Sequence, residues 1–183
     1  MEIETKRLLL RNWTDKDFED FYALNSDPVV MEYFPKTLVR RESDELAHKA
    51  RSLIEKNGWG FWACELKGGS DFMGFVGLNS PDYRLPFGPC IEIGWRLAKE
   101  YWGYGYATEA GEASLKYAFT QLDVEEVVSF AVTNNTKSIA IMERLGMSNM
   151  HSNFSHPKLP RNSPLSEHVL YKIQNEYWLS HNA

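Results

Sequence analysis

Three features of this sequence predict a single α/β unit whose strands are mostly antiparallel neighbours in its first half. Its 183 residues, 43% hydrophobic, suffice for one full core but are short for two. The apolar period is helical near the start and then gives way to short runs bounded by turn residues, which is a strand signal. From there strand and helix patterns alternate, with no internal repeat, low-complexity tract or linker. A single domain over residues 1–183 is expected.

Thr5 to Asn12 is rich in Leu, with Arg7 and Arg11 at even spacing, and reads as a strand. Thr14-Asp15-Lys16-Asp17 then reads as a capping box, opening a helix whose face holds Phe18, Phe21, Tyr22 and Asn25. Asp27-Pro28 starts a further helical turn, closed by Phe34-Pro35. Leu46, Ala50, Leu53 and Ile54 recur at helical spacing and predict a second amphipathic helix, stopped at Lys56-Asn57-Gly58. Trp59–Leu66 and Phe72–Leu78 flank hairpin punctuation at 67–71 and predict two antiparallel strands. Pro81, Pro86 and Pro89 make 79–89 irregular, ahead of a strand at Cys90–Leu97. The remaining pattern predicts a helix over Ala107–Leu122, a strand at Val127–Val132, and a helix at Lys137–Leu145 stopped by Gly146. Two last strands are expected, at Met147–Phe154 and His168–Ile173.

Charge and composition narrow the function. Twenty basic against 25 acidic residues leave a net charge of −5, and the longest basic runs, Lys6-Arg7 and Arg40-Arg41, are too short to track a phosphate backbone. Nucleic-acid binding is therefore not expected. Cys64 and Cys90 are the only cysteines and form no Cys-x-x-Cys motif, which fits reduced thiols in a cytoplasmic protein. The N-terminal residues lack a signal-peptide pattern, and no apolar run reaches the roughly 20 residues that cross a bilayer, so no membrane association is expected. No two of the five histidines fall at i, i+4 on a predicted helix, and no metal is expected. His156, beside Pro157, reads as a solvated loop residue or one that touches substrate.

Chemistry concentrates between Glu92 and Ala110, where a strand leads through Gly103-Tyr104-Gly105 into a helix. That order aims unpaired backbone N–H groups and the positive end of a helix dipole at one place, and the glycines admit an anion close to the main chain. Taken alone, the segment is equally compatible with a plain strand-to-helix turn. A Walker loop is excluded because no Gly-Lys-Ser/Thr follows, and a dinucleotide fingerprint because Thr108 stands where its third glycine belongs. One strand later comes Thr133-Asn134-Asn135-Thr136-Lys137-Ser138, running on to Met142-Glu143-Arg144-Leu145-Gly146-Met147.

Together, Ile93-Gly94-Trp95, Trp102-Gly103-Tyr104-Gly105-Tyr106-Ala107-Thr108-Glu109-Ala110 and this second element resemble the GNAT superfamily of N-acetyltransferases, in its RimJ/RimL-like branch. The resemblance covers nearly the whole chain. It implies a mixed, mostly antiparallel central sheet splayed in its middle and flanked by about four helices, and acetyl-CoA as co-substrate. It further implies that amides around Gly103, Tyr104, Gly105, Tyr106 and Ala107 hold the pyrophosphate. The backbone from Trp95 to Leu97 would pair with the pantetheine arm, which the Asn135 side chain would also face. Glu100 and Tyr104 depart from the branch, where Arg or Gln and a basic residue are common, so less side-chain charge is expected at the phosphates. The implied acceptor is a primary amine, either a protein N-terminus or a small molecule, for a monomer or homodimer. A non-catalytic acyl-CoA-binding module is the alternative.

Amines are mostly protonated at neutral pH, at about 10.4 for lysine and about 8 for an α-amine, so transfer needs a base. Glu92 is the candidate, because alternation sets it on the strand face opposite Ile91 and Ile93. Its alternatives are a carboxylate that orients the acceptor ammonium, or an idle surface charge. The developing oxyanion would meet strand N–H groups near Trp95–Leu97. The wider superfamily supplies a tyrosine to the leaving thiolate at the position of Met142, which cannot donate, and this makes Ser138 the candidate acid. Ser138 is equally suited to capping the helix that begins beside it. Glu109, in the first turn of a helix, reads as structural.

Overall fold

The computed structural model describes residues 2–182. Its elements in chain order are β1 (Ile3–Glu4), β2 (Leu8–Arg11), α1 (Asp17–Ser26), α2 (Arg40–Asn57), β3 (Phe61–Leu66), β4 (Gly74–Asn79) and β5 (Glu92–Leu97). A 3-10 turn at Lys99–Tyr101 leads to α3 (Tyr106–Gln121), β6 (Glu126–Val132), α4 (Thr136–Arg144), β7 (Ser148–Asn149), β8 (Phe154–Ser155), β9 (Glu167–Gln174) and α5 (Asn175–Asn182). The strands hydrogen-bond in the order β1-β2-β3-β4-β5-β6-β9-β7, and β8 also pairs with β9. β5 and β6 run parallel. β1–β2, β2–β3, β3–β4, β6–β9, β7–β9 and β8–β9 are antiparallel. The sheet is thus mixed and mostly antiparallel, as expected, with five helices among the described residues in place of about four.

The chain forms two compact units: residues up to Leu78 with Gly94–Ser114, and Asn79–Ile93 with everything from Leu115 onward. In the first, Leu8 and Leu10 are fully buried on alternate positions of β2, while β3 buries Trp62, Ala63 and Cys64 in succession, as a strand covered on both faces does. The strand expected at Thr5–Asn12 is β2 alone, with β1 paired to it from ahead of that range, and between the two the Thr5 hydroxyl accepts the Leu8 N–H. Of the expected capping box at Thr14–Asp17 one half forms, the Asp17 side chain reaching back to the Thr14 N–H, while the Asp17 N–H goes to Thr14 O and not to its hydroxyl. Asp17 is 1% exposed, its carboxylate takes the Thr14 N–H, and Arg11 clamps both its oxygens at 2.8 and 2.9 Å. The short helical turn expected from Asp27-Pro28 forms as a single turn, its Met31 N–H bonded to Asp27 O and its Val29 N–H to the Asp27 carboxylate, and the chain then leaves through the Phe34 N–H on Met31 O. The inward face of α2 is also rotated from expectation: Ser43, Ala47 and Ile54 are buried, whereas Leu46 is 42% exposed. Ser43 tolerates burial because its hydroxyl accepts from Asn25 Nδ2 at 2.9 Å.

In the second unit, β6 and β9 pair along their whole length, from Glu126↔Gln174 to Val132↔His168. The β5–β6 ladder, by contrast, consists of Glu92↔Val128 alone, and the Ser129 hydroxyl donates to Ile93 O at 3.0 Å beyond it. The strand expected over Met147–Phe154 breaks into β7 and β8, because His151 takes a positive φ of 50° between them. Helix α5 is absent from the sequence-based expectation. Its apolar pattern is short, and its main anchor is Trp178, buried against Phe119 with ring centroids 5.6 Å apart.

Candidate active site

In the first unit the chain leaves β5 at Leu97, makes the 3-10 turn and reaches α3 through Gly103 (φ 82°) and Gly105 (φ 79°). These are left-handed conformations that glycine adopts freely. A Cβ on Gly103 would meet no atom within 4 Å, so the main chain there is bare. The Glu109 N–H donates to Gly105 O, while the amides of residues 103–108 have no backbone acceptor among the described residues. The turn and the first turn of α3 therefore offer a row of N–H donors at the positive end of a helix dipole, as a pyrophosphate requires. Tyr104 is 63% exposed, with its ring stacked on Tyr106 at 5.7 Å.

Arg7 is a residue that sequence reasoning missed at this turn. Its Nη1 donates to Tyr104 O at 2.9 Å, its guanidinium lies 4.5 Å from the Tyr106 ring centroid, and its Nη2 is 3.6 Å from where a Gly105 Cβ would sit. It brings a cation to the place where Tyr104 supplies none. Glu109 holds it there, accepting from Arg7 Nε at 2.6 Å, the Arg7 N–H at 2.7 Å and the Thr5 hydroxyl at 2.6 Å. These donors lower the Glu109 carboxyl against the opposing effect of its burial, and its role is structural. The sequence showed Arg7 only as a basic residue within the expected strand at Thr5–Asn12, because its partner Glu109 lies 102 residues away.

Trp95 is half-buried and Leu97 is buried, with its carbonyl already taken by Trp102 Nε1 at 2.8 Å. Of the backbone groups expected to pair with pantetheine, that carbonyl is thus occupied. Arg96 is a second missed residue. Its Nη1 donates to Asn25 Oδ1 at 2.6 Å, and the guanidinium lies 4.1 Å from the Phe34 centroid.

In the second unit, Glu92 is half-buried on β5 and accepts from Asn79 Nδ2 at 3.2 Å. Burial pushes its carboxyl up to about 7, against the smaller opposing pull of Asn79 and of the Lys158 charge. Burial also raises the neighbouring Tyr83 phenol, and the Glu92 charge adds to that shift. His156 Nδ1 accepts the Lys158 N–H, which places its proton on Nε2, 3.2 Å from Tyr83 Oη. His156 is thus half-buried, not solvated. Its ring lies 4.9 Å from His168 and 5.9 Å from Phe130, and burial pushes it down to about 4, so it is neutral at pH 7. It also lines a cavity of about 420 Å³ with Arg84, Leu85, Leu159 and Arg161.

Asn135 caps α4, its Oδ1 accepting the Ser138 N–H at 3.2 Å, so the cap is Asn135 and not Ser138. The half-buried Ser138 hydroxyl makes no hydrogen bond among the described residues, and Met142, one turn on, is 1% exposed. No group of three His, Cys, Asp or Glu side chains fit to hold a metal occurs among the described residues. Nor is any described helix long and apolar enough to cross a membrane.

Comparison with known proteins identifies the family of the chain. The Acetyltransferase (GNAT) domain family matches residues 7–148. An uncharacterized N-acetyltransferase of Bacillus subtilis, YnaD, is 28% identical over 97% of this chain and 99% of its own. A GNAT-family acetyltransferase structure from Bacillus anthracis superposes with a TM-score of 0.79 at 26% identity, covering 96% of this chain and 99% of that one. The fold is also that of a spermidine N-acetyltransferase from Vibrio cholerae, solved with CoA and spermine (TM-score 0.73, 20% identity, 96% of this chain and 99% of that one). The chain belongs to the GNAT family and is an acetyl-CoA-dependent acetyltransferase.

Proposed function

We propose that this protein is a cytoplasmic N-acetyltransferase of the RimJ/RimL-like branch, acting as one domain, that passes the acetyl group to a primary amine by direct attack in a ternary complex. The acceptor is a protein N-terminus or a small-molecule amine. The observation that carries this reading is Glu92, a carboxyl held near 7 by burial and fixed by Asn79. A base poised at the working pH takes a proton from an ammonium without being permanently protonated itself. Absence of a reactive thiol favours direct transfer: burial raises Cys64 to about 12 and Cys90 to about 11, so neither is a thiolate fit to carry the acetyl group.

Acetyl-CoA supplies the activated thioester. The amides of Gly103, Tyr104, Gly105, Tyr106 and Ala107, with Arg7 beside them, hold its pyrophosphate, and the Trp95 to Leu97 backbone and the Asn135 side chain face its pantetheine arm. Glu92 accepts the proton that frees the amine for attack. The Ser138 hydroxyl, unengaged by protein, hands its proton to the departing thiolate and recovers one from solvent.

An amine and peptide screen with mass detection of the acetylated product tests the assignment. Acetylated amine formed well above the rate of thioester hydrolysis is expected. A flat response across broad panels, with acetyl-CoA bound, overturns it and makes the chain a binding module.

A further inference from the structure

The cavity beside His156 is lined by two arginines that the protein leaves without a counter-charge. Arg84 comes from the segment between β4 and β5, and Arg161 from the segment between β8 and β9. Both residues are exposed, and among the described residues neither guanidinium makes a hydrogen bond, an ion pair or a ring contact. The two segments, residues 79–89 and 154–166, hold three cations against one acid, in a chain whose net charge is −5. That acid, Asp82, faces the third cation, Lys158, at 3.6 Å. Positive charge is thus focused on this cavity with no acid of either segment left to balance it.

The rest of the lining suits a small organic ligand. Leu85, Pro86, Pro157 and Leu159 give carbon walls, and about 420 Å³ lies in the range of small-molecule pockets. The walls are also fixed before any ligand arrives, which lowers the cost of binding. Phe87 packs on Phe154 with centroids 5.2 Å apart and joins the two segments, while β8 pairs with β9 through Phe154↔His168 and Ser155↔Glu167. Beyond β8, the His156 N–H donates to Ser166 O at 2.8 Å and the Leu159 N–H to His156 O at 3.0 Å. His156 is wall and not anion ligand, because it is neutral and both its ring nitrogens are engaged, by Tyr83 and by the Lys158 N–H. That leaves the two guanidiniums. Like charges lining one cavity repel each other, and an oxyanion between them turns that cost into attraction.

The cavity and Glu92 belong to the same unit. Tyr83 links them, since its hydroxyl meets His156 Nε2 at 3.2 Å and the Glu92 charge acts on its phenol. An acceptor with an oxyanion in the cavity and its amine at Glu92 therefore stays within the second unit. We infer that Arg84 and Arg161 bind an oxyanion carried by the acceptor, so that the substrate is a small amine bearing a carboxylate or a phosphate. This rests on the acetyl-transfer reading above and narrows its acceptor.

The test compares kcat/KM within matched sets of amines: ω-amino carboxylates of graded length, aminoalkyl phosphates, and the alkylamines and diamines of the same lengths. Peptides with a free N-terminus and aspartate second form the macromolecular arm. At least one amino carboxylate or aminoalkyl phosphate should exceed the alkylamine of its length by tenfold or more, mainly through KM, and the better series identifies the oxyanion. Arg84→Met combined with Arg161→Met should bring that ratio within twofold, and Arg84→Lys with Arg161→Lys should retain part of it. Arg84→Glu with Arg161→Glu should reverse it, favouring diamines over the acidic amines, a gain that misfolding cannot produce. Preference of the wild type for alkylamines, diamines or the peptides overturns the inference while leaving acetyl transfer intact, and so does a ratio that survives in the double Met variant. So does a ratio lost there that neither lysine retains nor glutamate reverses, since the loss is then structural. Should no amine be acetylated, the acetyl-transfer reading fails instead. Calorimetry with γ-aminobutyrate, O-phosphoethanolamine and butylamine then decides the oxyanion claim: heat from either anion and not from butylamine, lost in the double Met variant, supports it, and any other pattern ends it.

Discussion

In the proposed mechanism Glu92 couples catalysis to folding through one proton. A carboxyl at about 7 in the folded chain, against the 4.5 of a free glutamate, binds its proton more tightly folded than unfolded. Its contribution to stability is therefore fully present below about 4.5 and is lost as pH rises through about 7, a change of roughly 3 kcal/mol. Glu92→Gln should remove that slope from pH-dependent denaturation melts and gain stability above pH 7. The same substitution should lower kcat by about 10²–10³ and abolish the rise of activity through pH 7. An unchanged pH–rate profile would retire Glu92 as the base. Ser138→Ala should cut kcat with little change in acetyl-CoA affinity, and equal loss of both would make Ser138 a binding residue. At this scale strand alternation in the sequence was enough to single out Glu92. It could not reveal its shift, which comes from surrounding burial, nor the roles of Arg7 and Arg96, whose partners Glu109 and Asn25 are distant in the chain.

The elements rest on two kinds of local fit. Where one residue type determines the outcome, the sequence announced it: the α2 stop at Gly58 is left-handed with φ 80°, and the β3–β4 hairpin and the start of α3 fall within two residues of expectation. Where the outcome depends on a tertiary partner, the sequence was silent. The Asn25–Ser43 hydrogen bond turned the inward face of α2, and Trp178 anchored a helix too short to show a period. The join of β2 to α1 is of this second kind, since the Asp17 carboxylate answers both Arg11 and the Thr14 N–H, and Arg11 in turn reaches Glu65 on β3 at 2.8 Å. Asp17→Ala leaves Arg11, 13% exposed, with one acid in place of two, and should cost about 3–5 kcal/mol in urea denaturation. Gly74 tests close approach: a Cβ there would lie 2.1 Å from Arg96 O at φ 130°, so Gly74→Ala should cost at least about 2 kcal/mol. Wild-type midpoints in either variant would contradict these packing assignments.

For the molecule as a whole, the decisive property is linkage between folding and its acyl carrier. Acetyl-CoA bound only by the folded chain, at 100 times its Kd, adds about 2.7 kcal/mol. For a chain of this size that should raise Tm by about 5–10 °C. Gly105→Val ought to erase the rise, because the side chain would crowd the amides proposed to hold the pyrophosphate. Loss of the rise alone is ambiguous, however, since any β-branched residue at φ 79° strains the backbone. Gly58 separates the two effects: its φ is 80°, a Cβ there meets nothing within 4 Å, and it ends α2 away from the glycine turn. Gly58→Val should therefore lower Tm through the same strain while keeping the full acetyl-CoA-induced rise in differential scanning fluorimetry. If both variants keep the rise, the pyrophosphate does not sit on the Gly103–Ala107 amides. If both lose it, the carrier responds to backbone strain anywhere in the fold and the assignment to that turn fails.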